Sequence, residues 1–486
     1  MISPRLHEIK KLDLKNYDLV PIKKEMYSDF TTPIEVMRIL KSVSVHCFLL
    51  ESNTDTKNWG RYSFLGFNPK MEITALDKSV KCNGIVQQGY DVHSYIRELL
   101  HRNRSYTFKD FPTFTGGLVG YFAYDYFSYY EKNLVLTKTG AEGFNDVDLM
   151  LFDEVIVFDN YKNKIIIIGN VKVADLEHSY HRVVKNINAI EDLVRSNKKA
   201  KIPNLQVKSA FKPVFKQNEY CDMVKKAKHY IAEGDIFQVV LANQLKAQAT
   251  GSLFDTYRVL RTTNPSPYMF YFGSASLELA GASPETLVKL ENGQISTFPL
   301  AGTRPRGKDE AEDARLEESL KNDEKELAEH NMLVDLGRND LGKIAKFNTV
   351  RLYHYLEVIK FSHVMHLGST VLANIDEKYD ALDAIQAVLP AGTLSGAPKF
   401  RAAQIIDELE KTRRGVYGGA IGYIDFTGNM DMCISIRLAY KQNNDLYVCS
   451  GAGIVYDSVP ENEYQECINK AKAVINAIET AQGGLE

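Results

Sequence analysis

The stretch GAIGYIDFTGNMDMCISIRLAYKQNNDLYVCSGAGIVY, residues 419–456, decides the fold class of this chain. It consists of apolar and alternating runs of strand length, separated by polar turn residues at 427–429 and 442–445. Apolar runs bounded by such turns are typical of neighbouring strands. The stretch therefore predicts an antiparallel meander. Pro460 follows it and opens a predicted helix that runs to about residue 481.

The rest of the chain mixes strands and helices in two regions. Residues 1–196 contain several strand patterns, a hairpin that turns at 160–163, and a helix over 174–196. Residues 197–217 are polar, basic and proline-containing, so we interpret them as a connection. A helix ending at Gly234 and a strand then begin the second region, 218–486. We expect an α+β fold.

The composition excludes several classes of protein. Hydrophobic residues make up 44% and charged residues 25% of the 486 residues, which is ordinary for a soluble globular protein. A formal net charge of −3 argues against a general nucleic-acid binder or membrane-surface binder. The six cysteines show no metal-binding spacing, and no apolar run follows the charged start. We therefore expect reduced thiols, no signal peptide, and a cytoplasmic location.

Two pairs of glutamates with the same spacing are candidate metal ligands. Glu326 and Glu329 lie in a predicted helix that Asn322 is expected to cap, and Glu463 and Glu466 lie in the C-terminal helix. Acids three residues apart share one helix face, and two such faces together would suit a hard cation such as Mg²⁺. Each pair alone is more typical of a solvated helix face.

Three segments carry candidate groups at strand ends. Glu285 follows an apolar strand, where burial would raise its pKa and make it a general acid, although it is equally typical of a turn. Gly302 and Thr303 lie in FPLAGTRPRG and offer a backbone NH and a hydroxyl to an anion. His366 is a candidate acid or base, although a lone histidine is more often structural.

The C-terminal strands and helix carry candidate carboxylate-binding groups. Arg437 lies in the apolar run CISIRLAY and needs a carboxylate partner, either a buried acid or a substrate. The GAG segment, Gly451 to Gly453 with Ala452 between them, lacks side-chain bulk, so a ligand can approach its NH groups. Lys470 shares a helix stripe with Glu466, and a surface ion pair between them is the simpler interpretation.

Taken together, these motifs resemble one family. The order is SPE (283–285), PLAGTRPRG (299–307), DEKELAEHNMLVDLGRNDLG (323–342), HVMHLGS (363–369), LPAGTLSGAPK (389–399), the arginine run, GAGIVYDS (451–458) and PENEYQE (460–466). This order, over about residues 215–475, closely resembles the chorismate-utilising enzymes. The resemblance implies a fold of two orthogonally packed antiparallel sheets with outer helices.

The same resemblance implies roles for the candidate residues. All four doublet glutamates would surround one Mg²⁺, with Glu329 and Glu466 as direct ligands, and the metal would neutralise the ring carboxylate of chorismate. The residues implied to bind the substrate are Gly302, Thr303, Thr393, Tyr417, Arg437, Gly451, Ala452, Gly453 and Lys470.

Two positions separate the reactions of this family. Members that add water to chorismate carry a lysine base where this chain has Gln238, and glutamine cannot deprotonate water. Aminodeoxychorismate synthases typically carry a nucleophilic lysine where this chain has Ala301, which forms no covalent adduct. The pattern is similar to that of anthranilate synthase large subunits.

The N-terminal region extends this resemblance. LLES (49–52) with GRYSFLG (60–66), and NPSPYMF (264–270), resemble the two halves of a pocket for feedback tryptophan. The implied contacts are Ser52, Pro267, Tyr268 and Met269. Tyr456 is a departure, because many relatives have a small residue there.

The resemblance implies a reaction and partners. Ammonia would attack ring carbon C2 of chorismate, Glu285 would protonate the departing C4 hydroxyl, and His366 would assist elimination of pyruvate. A separate glutamine amidotransferase subunit is implied, because the chain shows no glutaminase motif. Alternatives are an aminodeoxychorismate synthase subunit, a stand-alone aminodeoxyisochorismate synthase, and a tryptophan-binding regulatory subunit without activity.

Overall fold

The fold contains eleven α-helices in the residues that the structure describes. The structure is a computed structural model that describes residues 1–52, 60–131, 133–134, 136–137, 143–360 and 364–485. The helices are α1 Leu6–Ile9, α2 Pro33–Leu40, α3 Val92–His101, α4 Leu176–Arg195, α5 Gln217–Ala232, α6 Phe254–Thr263, α7 Glu310–Lys321, α8 Glu324–Gly342, α9 Ala381–Val388, α10 Lys399–Leu409 and α11 Pro460–Ala481.

Strands from both ends of the chain build two sheets. In chain order the strands are β1 Ile2–Ser3, β2 Leu19–Tyr27, β3 Cys47–Glu51, β4 Tyr62–Phe67, β5 Met71–Leu76, β6 Ser79–Cys82, β7 Ile85–Val86, β8 Gly117–Phe122, β9 Val147–Phe152, β10 Glu154–Asp159, β11 Lys164–Lys172, β12 Gln206–Val207, β13 Lys212–Pro213, β14 Gln238–Thr250, β15 Tyr268–Gly273, β16 Leu277–Ser283, β17 Thr286–Glu291, β18 Gln294–Thr297, β19 Leu300–Pro305, β20 Arg351–Lys360, β21 Val364–Asn374, β22 Gly396–Ala397, β23 Ala420–Asp425, β24 Met430–Ile434, β25 Leu438–Gln442 and β26 Asp445–Ile454.

Each sheet is antiparallel and contains strands of both predicted regions. The first runs β1-β2-β11-β10-β4-β3-β15-β16-β25-β26-β14-β12, with β13 and β22 also paired to β14. The second runs β19-β21-β18-β17-β24-β23-β8-β9-β5-β6-β7, with β20 also paired to β21. The α+β fold of two antiparallel sheets with helices is therefore confirmed. Because β3–β15 and β8–β23 pair across the two regions, the regions 1–196 and 218–486 share both sheets.

The main core lies between the two sheets. Phe48 of β3 in the first sheet packs on Phe152 of β9 in the second, with ring centroids 4.8 Å apart. Phe64 of β4 lies 5.8 Å from Tyr423 of β23 in the same way. A second core lies between the first sheet and helices including α2, α4 and α11. The sheets therefore face each other, and the helices cover the far side of the first sheet.

The run IIII in β11 shows why this strand is apolar throughout. Ile166 and Ile168 belong to the core between the sheets, whereas Ile165 and Ile167 belong to the core under the helices. Successive side chains of a strand point to opposite faces, so a strand covered on both faces needs apolar residues at every position. The predicted hairpin at 160–163 and the predicted helix over 174–196 are confirmed as β10–β11 and α4.

The predicted meander of residues 419–456 is wrong in one respect. The segment forms two hairpins, β23–β24 in the second sheet and β25–β26 in the first. The chain crosses between the sheets at 435–437, where Arg437 has a φ of 53°. The apolar run CISIRLAY hides this crossing, because both of its halves are buried strands. No helix in the described residues is long and apolar enough to span a membrane.

Candidate active site

One cavity of about 580 Å³ collects both glutamate doublets. Glu326 and Glu329 project into it from α8, and Glu463 and Glu466 from α11. Neither pair therefore lies only on a solvated helix face. Among the residues that the structure describes, no three acidic, histidine or cysteine side chains converge closely enough to hold a metal ion. The four carboxylates therefore line one cavity, but no three of them are close enough together to bind one metal ion.

The start of α8 is fixed by a different residue from the predicted one. Asp323 is the cap, and its Oδ1 accepts hydrogen bonds from the backbone NH groups of Lys325 at 3.1 Å and Glu326 at 3.2 Å. Asn322 instead ends α7, where its Nδ2 donates to the Glu318 carbonyl at 3.0 Å. The prediction of Asn322 was wrong because the carboxylate one residue later reaches two NH groups at once. The helix start positions Glu326 and Glu329 in the cavity.

The electrostatics of the doublets suit a divalent cation. Burial, and then the neighbouring Glu326, raise the pKa of Glu329. Burial also raises the pKa of Glu463, and the nearby Glu466 adds to the effect. These carboxylates therefore repel one another, and their oxygen atoms are the ligands that Mg²⁺ prefers. The residues fit the predicted Mg²⁺ site, which stays a prediction.

Two lysines lie beside the doublets. Lys470 Nζ is 2.6 Å from Glu466 Oε1 and donates to the Gly451 carbonyl at 3.1 Å. Lys325, which the sequence reasoning missed, also lines the cavity, and its charge lowers the pKa of Glu329. It lies four residues before Glu329, on the same helix face as that predicted ligand, so this spacing was the available indication. Both lysines offer positive charge to an anionic ligand.

Glu285 lies between β16 and β17 and faces the same cavity. Burial raises the pKa of its carboxyl to about 8, although the Thr393 hydroxyl and the charge of Lys470 act in the opposite direction. The Thr393 hydroxyl donates to Glu285 Oε1 at 3.1 Å. The raised pKa favours the protonated carboxyl near neutral pH, and the Thr393 hydroxyl fixes the position of one carboxyl oxygen, which suits a proton donor.

His366 lies in β21 and is held in place by the neighbouring strand β19. Its Nδ1 lies 2.7 Å from the Gly302 carbonyl and 3.1 Å from Thr303 Oγ1, and burial lowers its pKa. Because a carbonyl only accepts, we assign the proton of the neutral ring to Nδ1, which leaves Nε2 as an acceptor. Gly302 has a φ of 64°, and a Cβ there would lie 2.8 Å from Leu320. A larger residue would strain this arrangement.

The remaining predicted substrate residues fall into two groups. Thr303, Thr393, Tyr417, Arg437, Gly451, Gly453 and Lys470 line the cavity. Arg437 lies in the connection between sheets rather than in a strand, and burial lowers its pKa. Ala452 does not line the cavity, because the alternation along β26 turns its side chain into a separate apolar core. Gln238 and Ala301 line the cavity at the two positions that separate the reactions of the family.

A second cavity of about 410 Å³ contains the predicted regulatory residues. Ser52, Pro267, Tyr268 and Met269 all line it. Tyr268 donates to Asp431 Oδ1 at 2.8 Å, and its hydroxyl lies 2.8 Å from Thr286 Oγ1. The sequence reasoning missed the charged lining residues, which are Glu51, Arg61, Lys289, Glu291 and Asp431. Glu51 and Arg61 lie within the quoted segments LLES and GRYSFLG but were not selected there. Lys289, Glu291 and Asp431 come from β17 and β24, which no motif connected with this pocket.

Comparisons with known proteins agree with this geometry. The family model described as chorismate binding enzyme matches residues 45–476. Anthranilate synthase component 1 of Aquifex aeolicus is 43% identical, and that of Acetivibrio thermocellus 42%, each over 99% of both chains. The crystal structure of anthranilate synthase component I from Streptococcus pneumoniae TIGR4 superposes with a TM-score of 0.76 at 40% identity, over 85% of this chain and 92% of that one. The chain therefore belongs to the chorismate binding enzyme family.

Proposed function

We propose that this chain is the synthase subunit of an anthranilate synthase, which converts chorismate and ammonia to anthranilate and pyruvate. One observation carries the proposal. The cavity that holds Glu285, His366 and both glutamate doublets presents Gln238 and Ala301 where water-adding and covalent members of the family carry lysines. The two relatives of this chain that are named above match it over 99% of both chains, and both are anthranilate synthase component 1 proteins.

Substrate binding follows from the charges that line the cavity. Chorismate carries two carboxylates, and Arg437 and Lys470 offer a guanidinium and an ammonium group to them. The four doublet glutamates would hold Mg²⁺, which when bound compensates the charge of the ring carboxylate. Tyr417 is almost fully buried, and its hydroxyl lies beside Gly451, in the space that a side chain at position 451 would need.

The first step is amination with loss of water. Ammonia forms a bond to C2, the C1=C2 and C5=C6 double bonds shift to C1=C6 and C4=C5, and the bond from C4 to its hydroxyl breaks. The proton of Glu285 goes to the leaving oxygen, and the nitrogen at C2 later gives up a proton. Ammonia brings its own lone pair, so this step needs no lysine base, in agreement with Gln238 in the cavity. The product is aminodeoxyisochorismate.

The second step removes the proton from C2 and breaks the bond from C3 to the enolpyruvyl oxygen, which leaves an aromatic ring, and the released enolpyruvate takes up a proton to become pyruvate. We assign removal of the C2 proton to His366. The Nε2 atom of His366 is an acceptor because Nδ1 donates to the Gly302 carbonyl.

We expect His366→Ala to slow this elimination by about 10²–10⁴ and to accumulate aminodeoxyisochorismate, measured by chromatography. His354→Ala, which removes an exposed imidazole from the neighbouring strand β20, is the matched control and should behave as wild type. An unchanged anthranilate yield from His366→Ala would show that another group moves the proton.

The ammonia source defines the partner and gives the test of the proposal. We infer that a separate glutamine amidotransferase subunit supplies ammonia. The purified chain, given chorismate, Mg²⁺ and an ammonium salt, should form fluorescent anthranilate, whereas glutamine should give none. Anthranilate formed from glutamine by this chain alone would show that the chain needs no separate glutaminase subunit. No product with ammonium would exclude the proposed function.

The second cavity supports regulation by tryptophan. Its mixture of aromatic residues with Arg61, Lys289 and Glu291 suits a zwitterion with an apolar ring. Thr286 contacts the hydroxyl of Tyr268, which lines this cavity, and Thr286 directly follows Glu285, which lines the active-site cavity.

We expect Ser52→Ala to weaken inhibition by tryptophan roughly tenfold, since loss of one hydrogen bond costs about 1–1.5 kcal/mol. Turnover without tryptophan should stay at the wild-type rate. Equal inhibition of both proteins would place tryptophan elsewhere.

A further inference from the structure

A smaller cavity of about 40 Å³ adjoins the active-site cavity. Glu285, Leu333 and Thr393 line both of them, so these three residues stand at the boundary between the two. The volume accommodates a few water-sized molecules and is too small for a ring. We call this space the rear cavity.

The rear cavity combines an apolar wall with polar groups at separate points. Leu336, Val388 and Ala391 belong to the apolar part of the wall. The polar groups include the Glu285 carboxyl, the hydroxyl of Thr393 and the carboxylate of Asp340. A buried water is stable where it finds two to four polar partners, and at least three residues with polar side chains line this space.

The carboxylate of Asp340 is held in place by two lysines. Lys399 Nζ lies 2.6 Å from Asp340 Oδ2, and Lys343 Nζ lies 3.1 Å from Asp340 Oδ1. Asp340 is only 3% exposed, so the pairing keeps a charged acceptor in a fixed position next to the cavity. One polar residue of the rear cavity is therefore held in place without any contribution from the substrate.

The amination step of the proposed function produces water at this boundary. The C4 oxygen takes the Glu285 proton as its bond to carbon breaks, so the new water forms against the Glu285 carboxyl. If the water stayed beside C4, it could add back and reverse the step. A separate small space that Glu285 also lines would take this water away from the ring without opening the active site.

We propose that the rear cavity receives the water that leaves C4 during amination. This inference rests on the proposed function and adds a site for a product of its first half-reaction. Pyruvate elimination releases no water from C4, so the rear cavity has no part in that second step. The two half-reactions should therefore respond differently when the cavity is filled.

The test is to fill the rear cavity from two sides and measure each half-reaction alone. Leu336→Phe extends from α8 and Ala391→Val from the opposite segment. Amination is followed as single-turnover loss of chorismate with ammonium and Mg²⁺, and elimination as anthranilate formed from supplied aminodeoxyisochorismate. We expect both variants to slow amination by roughly tenfold or more and to leave elimination within about twofold. Met332→Phe, on the same helix outside both cavities, is the matched control and should change neither.

Each alternative outcome is distinct. If both filling variants keep the wild-type rate of chorismate loss, or slow the two half-reactions equally, the rear cavity does not take the leaving water. If the wild-type chain forms no anthranilate from chorismate, the proposed function fails first and this inference falls with it.

Discussion

Glu285→Gln is expected to lower the rate of chorismate amination by about 10²–10⁴, the usual contribution of a positioned general acid. Glutamine keeps the size of the side chain and can still accept the hydrogen bond from Thr393. It cannot give a proton to the leaving C4 hydroxyl. Conversion of supplied aminodeoxyisochorismate to anthranilate should continue, because that step does not break the bond at C4. Loss of both steps, or of neither, would contradict the role of Glu285.

The pH dependence of amination gives an independent check on the same residue. Burial raises the pKa of Glu285 to about 8, so the carboxyl is protonated below that pH and loses its proton above it. The rate constant of amination, expressed per free ammonia, should therefore be constant below pH 8 and fall about tenfold per pH unit above it. Elimination from aminodeoxyisochorismate should lack this descending limb. A rate constant that does not fall above pH 8 would show that Glu285 is not the acid.

Glu329→Gln and Glu466→Gln are each expected to lower Mg²⁺-dependent turnover by roughly 100-fold or more. A metal ion supplies several kcal/mol of charge stabilisation, and about 2.7 kcal/mol corresponds to a factor of 100. Each variant should also bind Mg²⁺ more weakly in calorimetric titrations of the protein alone, which is a readout independent of turnover. Burial and the neighbouring Glu326 carboxylate already raise the pKa of Glu329, so an amide at this position should fold well.

Matched controls exist on the same two helices. Glu324 and Glu461 are exposed acids in the first turns of α8 and α11 and do not line the cavity. Their glutamine variants remove the same charge from the same helices and should keep both turnover and Mg²⁺ binding. If they weaken Mg²⁺ binding as much as Glu329→Gln and Glu466→Gln, only the general charge of the helices matters. Near-normal activity of the two site variants would refute a metal site between the doublets.

Sequence patterns predicted most of the fold because local rules dominate there. The hairpin at 160–163, helix α4 and the helix opened by Pro460 each follow from periodicity and turn residues. The crossing at 435–437 did not, because the strands on both sides are buried and form one apolar run. A change of sheet depends on what lies opposite each half of the run, which is tertiary information. The cap at Asp323 was missed for a smaller reason, since Asn322 and Asp323 are both good caps.

The candidate site was predicted from a set of motifs taken together, because no single residue indicated the site by itself. Glu285, His366 and all four doublet glutamates line one cavity, although each alone had a simpler structural explanation. Lys325 was missed because a lysine next to a predicted metal ligand has no motif of its own. The side chain of Ala452 lies outside the cavity because strand alternation turns it to the other face of β26. The face of the strand or helix on which a side chain lies decides such details, and for a strand this face depends on the register with its neighbours.

The most direct test of the central claim is a labelled-product measurement. The purified chain is incubated with chorismate, Mg²⁺ and ¹⁵N-labelled ammonium, and the products are identified by mass spectrometry. The proposed function predicts ¹⁵N in the amino group of anthranilate, with one pyruvate released for each anthranilate formed. Unchanged chorismate, unlabelled isochorismate, or a labelled product that keeps its enolpyruvyl group would contradict it.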